Sequence, residues 1–265
     1  RIKIAFALLM SMFCSSIVLI GISLGTWLYI VPIFFTLQLT IAIYNLLTCR
    51  KRYLALDHVR EIGFLSDGSF NGTEKEKQIY LFVLELSSKL NLKKPPKVAI
   101  VHTDVLNAYA VGSSRNKGLI LITSSALEQM SMQTLLSTVA HEMAHIVNGD
   151  AVGMMIANQL AYAAALLLGL PVKILTWPIA ETIERWLGID HISYVIHFLF
   201  SILVDYILLS VMNLFVLAYS RRREFRADLL EAKMVGKEAA IKALNEWKRV
   251  MNPRAEASYA TLGIS

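Results

Sequence analysis

Apolar residues along this chain are gathered into four long blocks, separated by stretches of ordinary mixed composition. Residues 4–24 carry no charge. At about 1.5 Å of rise per residue, a helix of that length crosses a hydrocarbon core of roughly 30 Å. Residues 26–48 are a second charge-free run. They follow so closely on the first, with no convincing cleavage site between, that a cleaved signal peptide is the weaker reading of residues 4–24. Residues 154–170 form a shorter third run, broken near Pro171 and extendable to Thr176, and residues 192–218 a longer fourth. Each predicts a transmembrane helix.

Between the second and third blocks the pattern is that of a folded domain. Thr73 followed by Glu76 is a capping box before residues 79–90, whose apolar positions recur at helical intervals, so a helix is expected to end near Asn91. Pro95-Pro96 stops it, and the β-branched residues 97–102 read as a strand. Residues 108–111 and 119–123 predict two more strands, joined by the turn-rich residues 112–118. A second helical pattern starts near Ser131 and runs through Leu135, Leu136, Val139, Met143 and Ile146 to Asn148, with Gly149 placed as its C-cap. The expected domain is a small sheet beside helices.

Composition strengthens the membrane reading: 55% of residues are hydrophobic and 17% charged, with a mean hydropathy of +0.53, too apolar for an ordinary soluble domain. The net charge of +6 is not a nucleic-acid signature, because the basic residues cluster at the ends of apolar blocks, as in Arg50-Lys51-Arg52 and Arg221-Arg222-Arg223. With Arg1 and Lys3 they fall on one side if all four spans cross, and that side is the cytoplasm. The opposite side receives a turn near Gly25 and a loop over residues 173–190, where Lys173 and Arg185 are outweighed by Glu181, Glu184 and Asp190. The chain thus divides into a transmembrane hairpin (1–52), a cytoplasmic catalytic region (53–153), the third and fourth spans (154–219) and a cytoplasmic C-terminal region (220–265). Cys14 and Cys49 are too few for a disulfide framework or a thiolate metal site. In the fourth span His197, Ser201, Asp205 and Asn213 repeat at helical spacing. They read either as a transport path or as a hydrogen-bonded stripe answered by Asn158, Gln159 and Tyr162 of the third, and the stripe is the preferred reading.

Candidate chemistry sits at the end of the second helical pattern, in His141-Glu142-Met143-Ala144-His145. Residues four apart stack on one helix face, so His141 and His145 can grip one zinc ion, while Glu142 projects beside the metal as a general base. A catalytic zinc takes a third protein ligand. The position six residues after His145 holds Ala151, which excludes a third histidine in the metzincin manner. The alternative is a glutamate on another helix, followed four residues later by an aspartate that orients an imidazole. Of all the glutamates only Glu224 has an aspartate at that offset, Asp228. The competing reading is a solvated helix face pairing with its neighbouring arginines.

Three segments carry a family resemblance. Residues Asn107, Ala108, Tyr109, Ala110, Val111 and Gly112, the His141 to His145 run with Asn148-Gly149-Asp150, and residues 220–228 with Glu224 and Asp228 resemble the HtpX family of bacterial membrane zinc metallopeptidases. The resemblance implies a predominantly α-helical integral membrane protein, with four transmembrane helices and a cytoplasmic α+β zincin-like catalytic domain. It further implies a gluzincin-type site with one zinc ion per chain, a multi-pass location in the bacterial inner membrane, proteolysis of misfolded or damaged membrane proteins under stress, and distant kinship with the CaaX prenyl proteases.

On this reading His141, His145 and Glu224 hold zinc, Glu142 moves the proton and Asp228 orients an imidazole, His141 being preferred. Asn107 to Val111 form an edge strand to which an extended substrate adds. Expected partners are the lipid bilayer and the cytoplasmic loops or tails of membrane-protein substrates, without nucleic acid. Tyr219, Arg223 and Arg226 are candidates for stabilising the oxyanion, and none is singled out. The rivals are a transporter or channel using His197 and Asp205, or a non-catalytic scaffold, each with a structural zinc site. The chain starts without an initiator Met and stops at Ser265, which reads as a fragment or processed form.

Overall fold

A computed structural model of the protein describes residues 27–251; the first apolar block and Cys14 lie outside them. The described chain is mostly helical and divides into two compact units, one drawing on residues up to Ile43 and Met154–Ser220, the other on Tyr44–Gly153 and Arg221 onward.

In the first unit the apolar blocks are helices. Helix α1 (Trp27–Leu54) takes up the second block and continues through Arg50, Lys51 and Arg52. Helices α5 (Asp150–Leu187) and α6 (Ile192–Val235) take up the third and fourth, and both are long and apolar enough to cross a membrane. Their apolar side chains are largely exposed, Leu175 at 68% among them. A core helix of a soluble protein would bury such residues.

The break expected at Pro171 does not occur: α5 runs through Pro171 and Pro178. Proline removes one backbone donor and would break a water-exposed helix, but in an apolar surround the remaining amides have no partner except the helix itself. The connection is therefore shorter than the expected loop over residues 173–190. It turns at Gly188 and His191, both at positive φ. There Glu184 accepts the backbone N–H groups of Ser193 (2.9 Å) and His191 (3.3 Å), closing the start of α6.

The polar stripe of α6 also finds partners other than those expected. His197 and Ser201 are buried, but the group facing His197 Nδ1 is Thr176 Oγ1 at 3.3 Å, and Asp205 meets Lys173 Nζ at 2.6 Å. Asn158 donates to its own helix at Met154, while Tyr162 and Asn213 are exposed. Because α5 continues past Pro171, Lys173 belongs to a helix and joins the stripe.

The second unit holds a sheet of order β1-β2-β4-β3, formed by Val59–Ile62, Lys97–Val101, Gly118–Thr123 and Ala108–Gly112 respectively. The β2–β4 pairing is parallel and the other two are antiparallel. Alternation along the strands sends Val98, Ile100, Ile120 and Ile122 to one face, against Ile79, Val83 and Leu86 of α2 (Glu74–Lys89) and Leu135, Val139 and Met143 of α4 (Met132–Asn148). Ala99, Val101, Leu119 and Leu121 turn to the other face, against Tyr53, Leu54 and Tyr109. Both bonds of the Thr73/Glu76 capping box are present at the start of α2.

Helix α4 is fixed at both ends. Ser131 caps its start, and Gly149 ends it in the left-handed region at φ 69°, where a side chain would be strained. A short helix α3 (Ser124–Gln129) leads into it, and α7 (Lys237–Met251) packs along it. Glu246 of α7 accepts from the N–H and hydroxyl of Ser131 (2.8 and 2.6 Å) and from the Thr134 hydroxyl, and Trp247 Nε1 donates to Thr138 Oγ1 at 2.7 Å. Gly118 lets α4 approach the sheet: a Cβ there would lie 2.8 to 2.9 Å from the buried Ile146 side chain.

Two outcomes follow for thermal unfolding in detergent. Gly118→Val overpacks the α4–sheet contact and should cost about 1–3 kcal/mol; an unchanged melting temperature would show that α4 can move aside. Asp205→Ala should destabilise by about 3–5 kcal/mol because it removes the carboxylate that faces the largely buried Lys173 ammonium, and adding Lys173→Met should recover part of that loss. Purely additive losses would mean the pair is not coupled.

Candidate metal and catalytic site

The last two turns of α4 present His141 and His145 on one face, and α6 brings Glu224. Their ligating atoms form a small triangle: the two Nε2 atoms are 3.1 Å apart, and Glu224 Oε2 lies 3.4 Å from each. Tetrahedral zinc bonded at about 2.0 to 2.1 Å separates its ligands by about 3.3 to 3.4 Å, so the triangle has the size of one coordination face.

The chemistry of the donors agrees. The other ring nitrogen of each histidine faces carboxylates: His145 Nδ1 meets Asp150 Oδ2 at 2.6 Å, and His141 Nδ1 meets Asp228 Oδ1 and Glu231 Oε2, each at 3.1 Å. A carboxylate on Nδ1 keeps the proton there and leaves Nε2 as a lone pair. Three donor atoms converging within 3.4 Å need a shared cation, a proton or a metal, among them. These residues fit a divalent metal of the zinc class.

The surrounding charges point the same way. Burial pushes the His141 pKa down, but the hydrogen bond to Glu231 and the charges of Glu142, Glu231 and Asp228 outweigh it and raise the group to about 9. A field that holds a proton this firmly also favours a metal cation. Glu142 is raised to about 7, first by burial and then by Glu224, against the opposing pull of His141, the Ala110 amide and Arg223. Burial also opposes the Glu224 charge, yet the hydrogen bond from Arg223 and the nearby histidines hold its pKa below the ordinary value.

Glu142 is not part of the ligand triangle; its carboxylate accepts the backbone N–H of Ala110 on β3. That contact reports the register of the edge strand. Thr123 N–H donates to Asn107 C=O at 3.1 Å, so by antiparallel alternation Tyr109 and Val111 bond to β4, while Ala108, Ala110 and Gly112 turn their backbone groups outward. A cavity of about 310 Å³ opens between this edge and the triangle, walled by Tyr109, Ala110 and Val111 opposite His141, Glu142 and Glu224. Asn107 and Ala108 are outside its wall, which continues instead to Gly112 and Ser114.

All five chemical residues singled out from sequence, His141, Glu142, His145, Glu224 and Asp228, are thus gathered here. Two more were missed. Glu231 is 8% exposed and bridges Ser137 Oγ (2.6 Å) and His141. Its signal was the spacing Glu224, Asp228, Glu231, which puts three carboxylates on one helix face. Asp150, 2% exposed, links His145 to Arg226 Nη2 at 3.1 Å. Its signal was an acid directly after the left-handed Gly149, where the chain turns back on the imidazole. Of the oxyanion candidates, Arg223 lines the cavity; Tyr219 and Arg226 do not.

Comparison with known proteins gives the same picture. The profile of Peptidase family M48 matches residues 73–252. The protease HtpX homolog of Bacillus licheniformis is 30% identical over 194 residues, 72% of this chain and 62% of that protein; that of Bacillus subtilis is 32% identical over 174 residues, 66% of this chain and 56% of that protein. The chain therefore spans less than two thirds of the length of these relatives. They bear out the resemblance to HtpX proteases. The crystal structure of S. mikatae Ste24p matches 86% of this chain and 51% of its own, with a TM-score of 0.51 at 17% identity, a likeness of fold. Carrying the family's match from the α2 capping box through both histidines, Glu224 and α7, this chain belongs to peptidase family M48.

Proposed function

We propose that the protein is a zinc-dependent membrane endopeptidase that hydrolyses misfolded or damaged membrane proteins. The carrying observation is the convergence of His141 Nε2, His145 Nε2 and Glu224 Oε2 on one coordination face, beside a carboxylate that is not a ligand. A zinc ion held there supplies Lewis acidity, polarising the scissile carbonyl and lowering the pKa of water.

The rest is work for the chain's own groups. Glu142 takes the proton of the attacking water at its carboxylate and passes it to the leaving amine. Asp150 keeps His145 in the required tautomer, and Asp228 with Glu231 does so for His141. The outward backbone groups of Ala108, Ala110 and Gly112 bind an extended substrate as an added strand, which reads main chain more than side chains. As substrate arrives, the Ala110 amide exchanges the Glu142 carboxylate for substrate and frees the base.

The proposal includes an inner-membrane location, four spans, cytoplasmic termini and active site, and substrates that enter as cytoplasmic loops or tails. It is supported by the Lys/Arg bias of the sequence, by the two apolar helices and by the HtpX relatives.

With purified protein in mild detergent and a misfolded membrane protein as substrate, Glu142→Gln should retain one zinc per chain while cleavage falls by about 10²- to 10⁴-fold. Glu224→Ala should lose zinc affinity. Undiminished cleavage by the first variant, or undiminished affinity in the second, overturns the mechanism. Ala110→Pro removes the outward amide without touching the β4 ladder, so zinc binding should persist while kcat/KM falls; an unaltered kcat/KM would exclude strand addition at β3.

A further inference from the structure

Four arginines surround the third ligand in sequence, and one of them behaves differently from the rest. Arg221, Arg222 and Arg226 are exposed. The Arg223 side chain is 24% exposed and lies in the cavity wall. Its Nη2 donates to Glu224 Oε1 at 2.6 Å. Consecutive residues on a helix point about 100° apart and do not face each other, so this contact requires the long Arg stem to fold back along the helix. The folding back has a cost that a solvated ion pair would not bear: Arg223 Nε is buried and has no hydrogen-bond partner.

The result is a division of labour within one carboxylate. Glu224 Oε1 is held by Arg223, and Oε2 alone stands equidistant, at 3.4 Å, from the two imidazole nitrogens. A free carboxylate at a metal site rotates between one-oxygen and two-oxygen binding. An arginine on one oxygen removes that freedom. We infer that Arg223 is a positioning residue that makes Glu224 a one-oxygen ligand, so that a tetrahedral ion keeps its remaining position for reaction. Arg226, three residues on, acts on the same shell through Asp150 and His145, so α6 steadies two of the three ligands by guanidinium groups. The inference rests on His141, His145 and Glu224 forming the metal site, and it concerns how many oxygens Glu224 offers.

The test uses the full chain in detergent, titrated with zinc and, separately, with cobalt(II), whose visible absorption weakens when coordination rises from four to five. Arg223→Gln should weaken zinc binding by about 10- to 100-fold, lower the cobalt absorption per ion, and leave the melting temperature of the metal-free protein unchanged. Arg223→Lys should recover part of the affinity through its charge, but not the wild-type cobalt spectrum, because a point charge lacks the planar fork. Wild-type affinity and spectrum in Arg223→Gln would overturn the inference, as would a lowered metal-free melting temperature with unchanged affinity in the folded fraction. If the wild type itself binds no zinc, or Glu224→Ala binds as tightly as wild type, the metal site fails instead.

Discussion

Three electron-pair donors held within 3.4 Å of one another are the constraint around which the catalytic unit is arranged. They are compatible at this distance only when they share a cation, whether the proton that His141 holds or a metal. The fold must hold them there. Helix α4 can supply two, because a four-residue step returns to the same face. It cannot supply a third, because Gly149 ends it four residues after His145. The third donor has to come from another helix, and the α4–α6 contact must be accurate to a fraction of a bond length.

That accuracy comes from devices spread along α4. The sheet supports one side, with Gly118 allowing Ile146 to seat closely. Helix α7 holds the opposite end through Glu246 and Trp247. Across the α6 contact, Glu231 joins Ser137 and His141, and Arg226 joins Asp150 beside His145. The carboxylates do two jobs at once: each orients an imidazole, and together they place negative charge where a cation belongs. Buried carboxylates such as Asp150 and Glu231 are costly unless paired, and their placement against the two histidines points to a site and not to packing.

Legibility in the sequence followed the range of the interactions. The capping box of Thr73 and Glu76, the Gly149 cap and the three predicted strands rest on residues within a few positions of one another, and each was readable. Strand β1 was not, because Val59-Arg60-Glu61-Ile62 is polar at its centre; Arg60 and Glu61 are satisfied by Glu76 and Lys97, residues distant in sequence. Pro171 misled because the rule for proline assumes water around the helix. The role of Lys173 then went unread, since a residue placed in a loop has no reason to meet Asp205. At the site, His141, Glu142, His145, Glu224 and Asp228 were legible as pairs at fixed offsets. Asp150 and Glu231 carried weaker positional signals, an acid directly after Gly149 and a third acid on the face of Glu224 and Asp228, since what distinguishes them is burial against imidazoles from another turn or another helix.

A site divided between helices also couples metal binding to folding. Two histidines on one helix bind a cation only weakly without a third donor, and here that donor arrives with α6, together with the carboxylates that orient His141. Docking α6 delivers Glu224, Asp228 and Glu231 in one step, because positions 224, 228 and 231 share a face. It delivers Arg226 to Asp150 in the same step. Each of these contacts is made only when the helices are in register, so binding free energy at the metal is spent on selecting that register. A slip of one residue would turn all three acids away from α4 and put Phe225, now exposed, toward the histidines. The ligand set therefore specifies the packing as much as the packing specifies the ligand set.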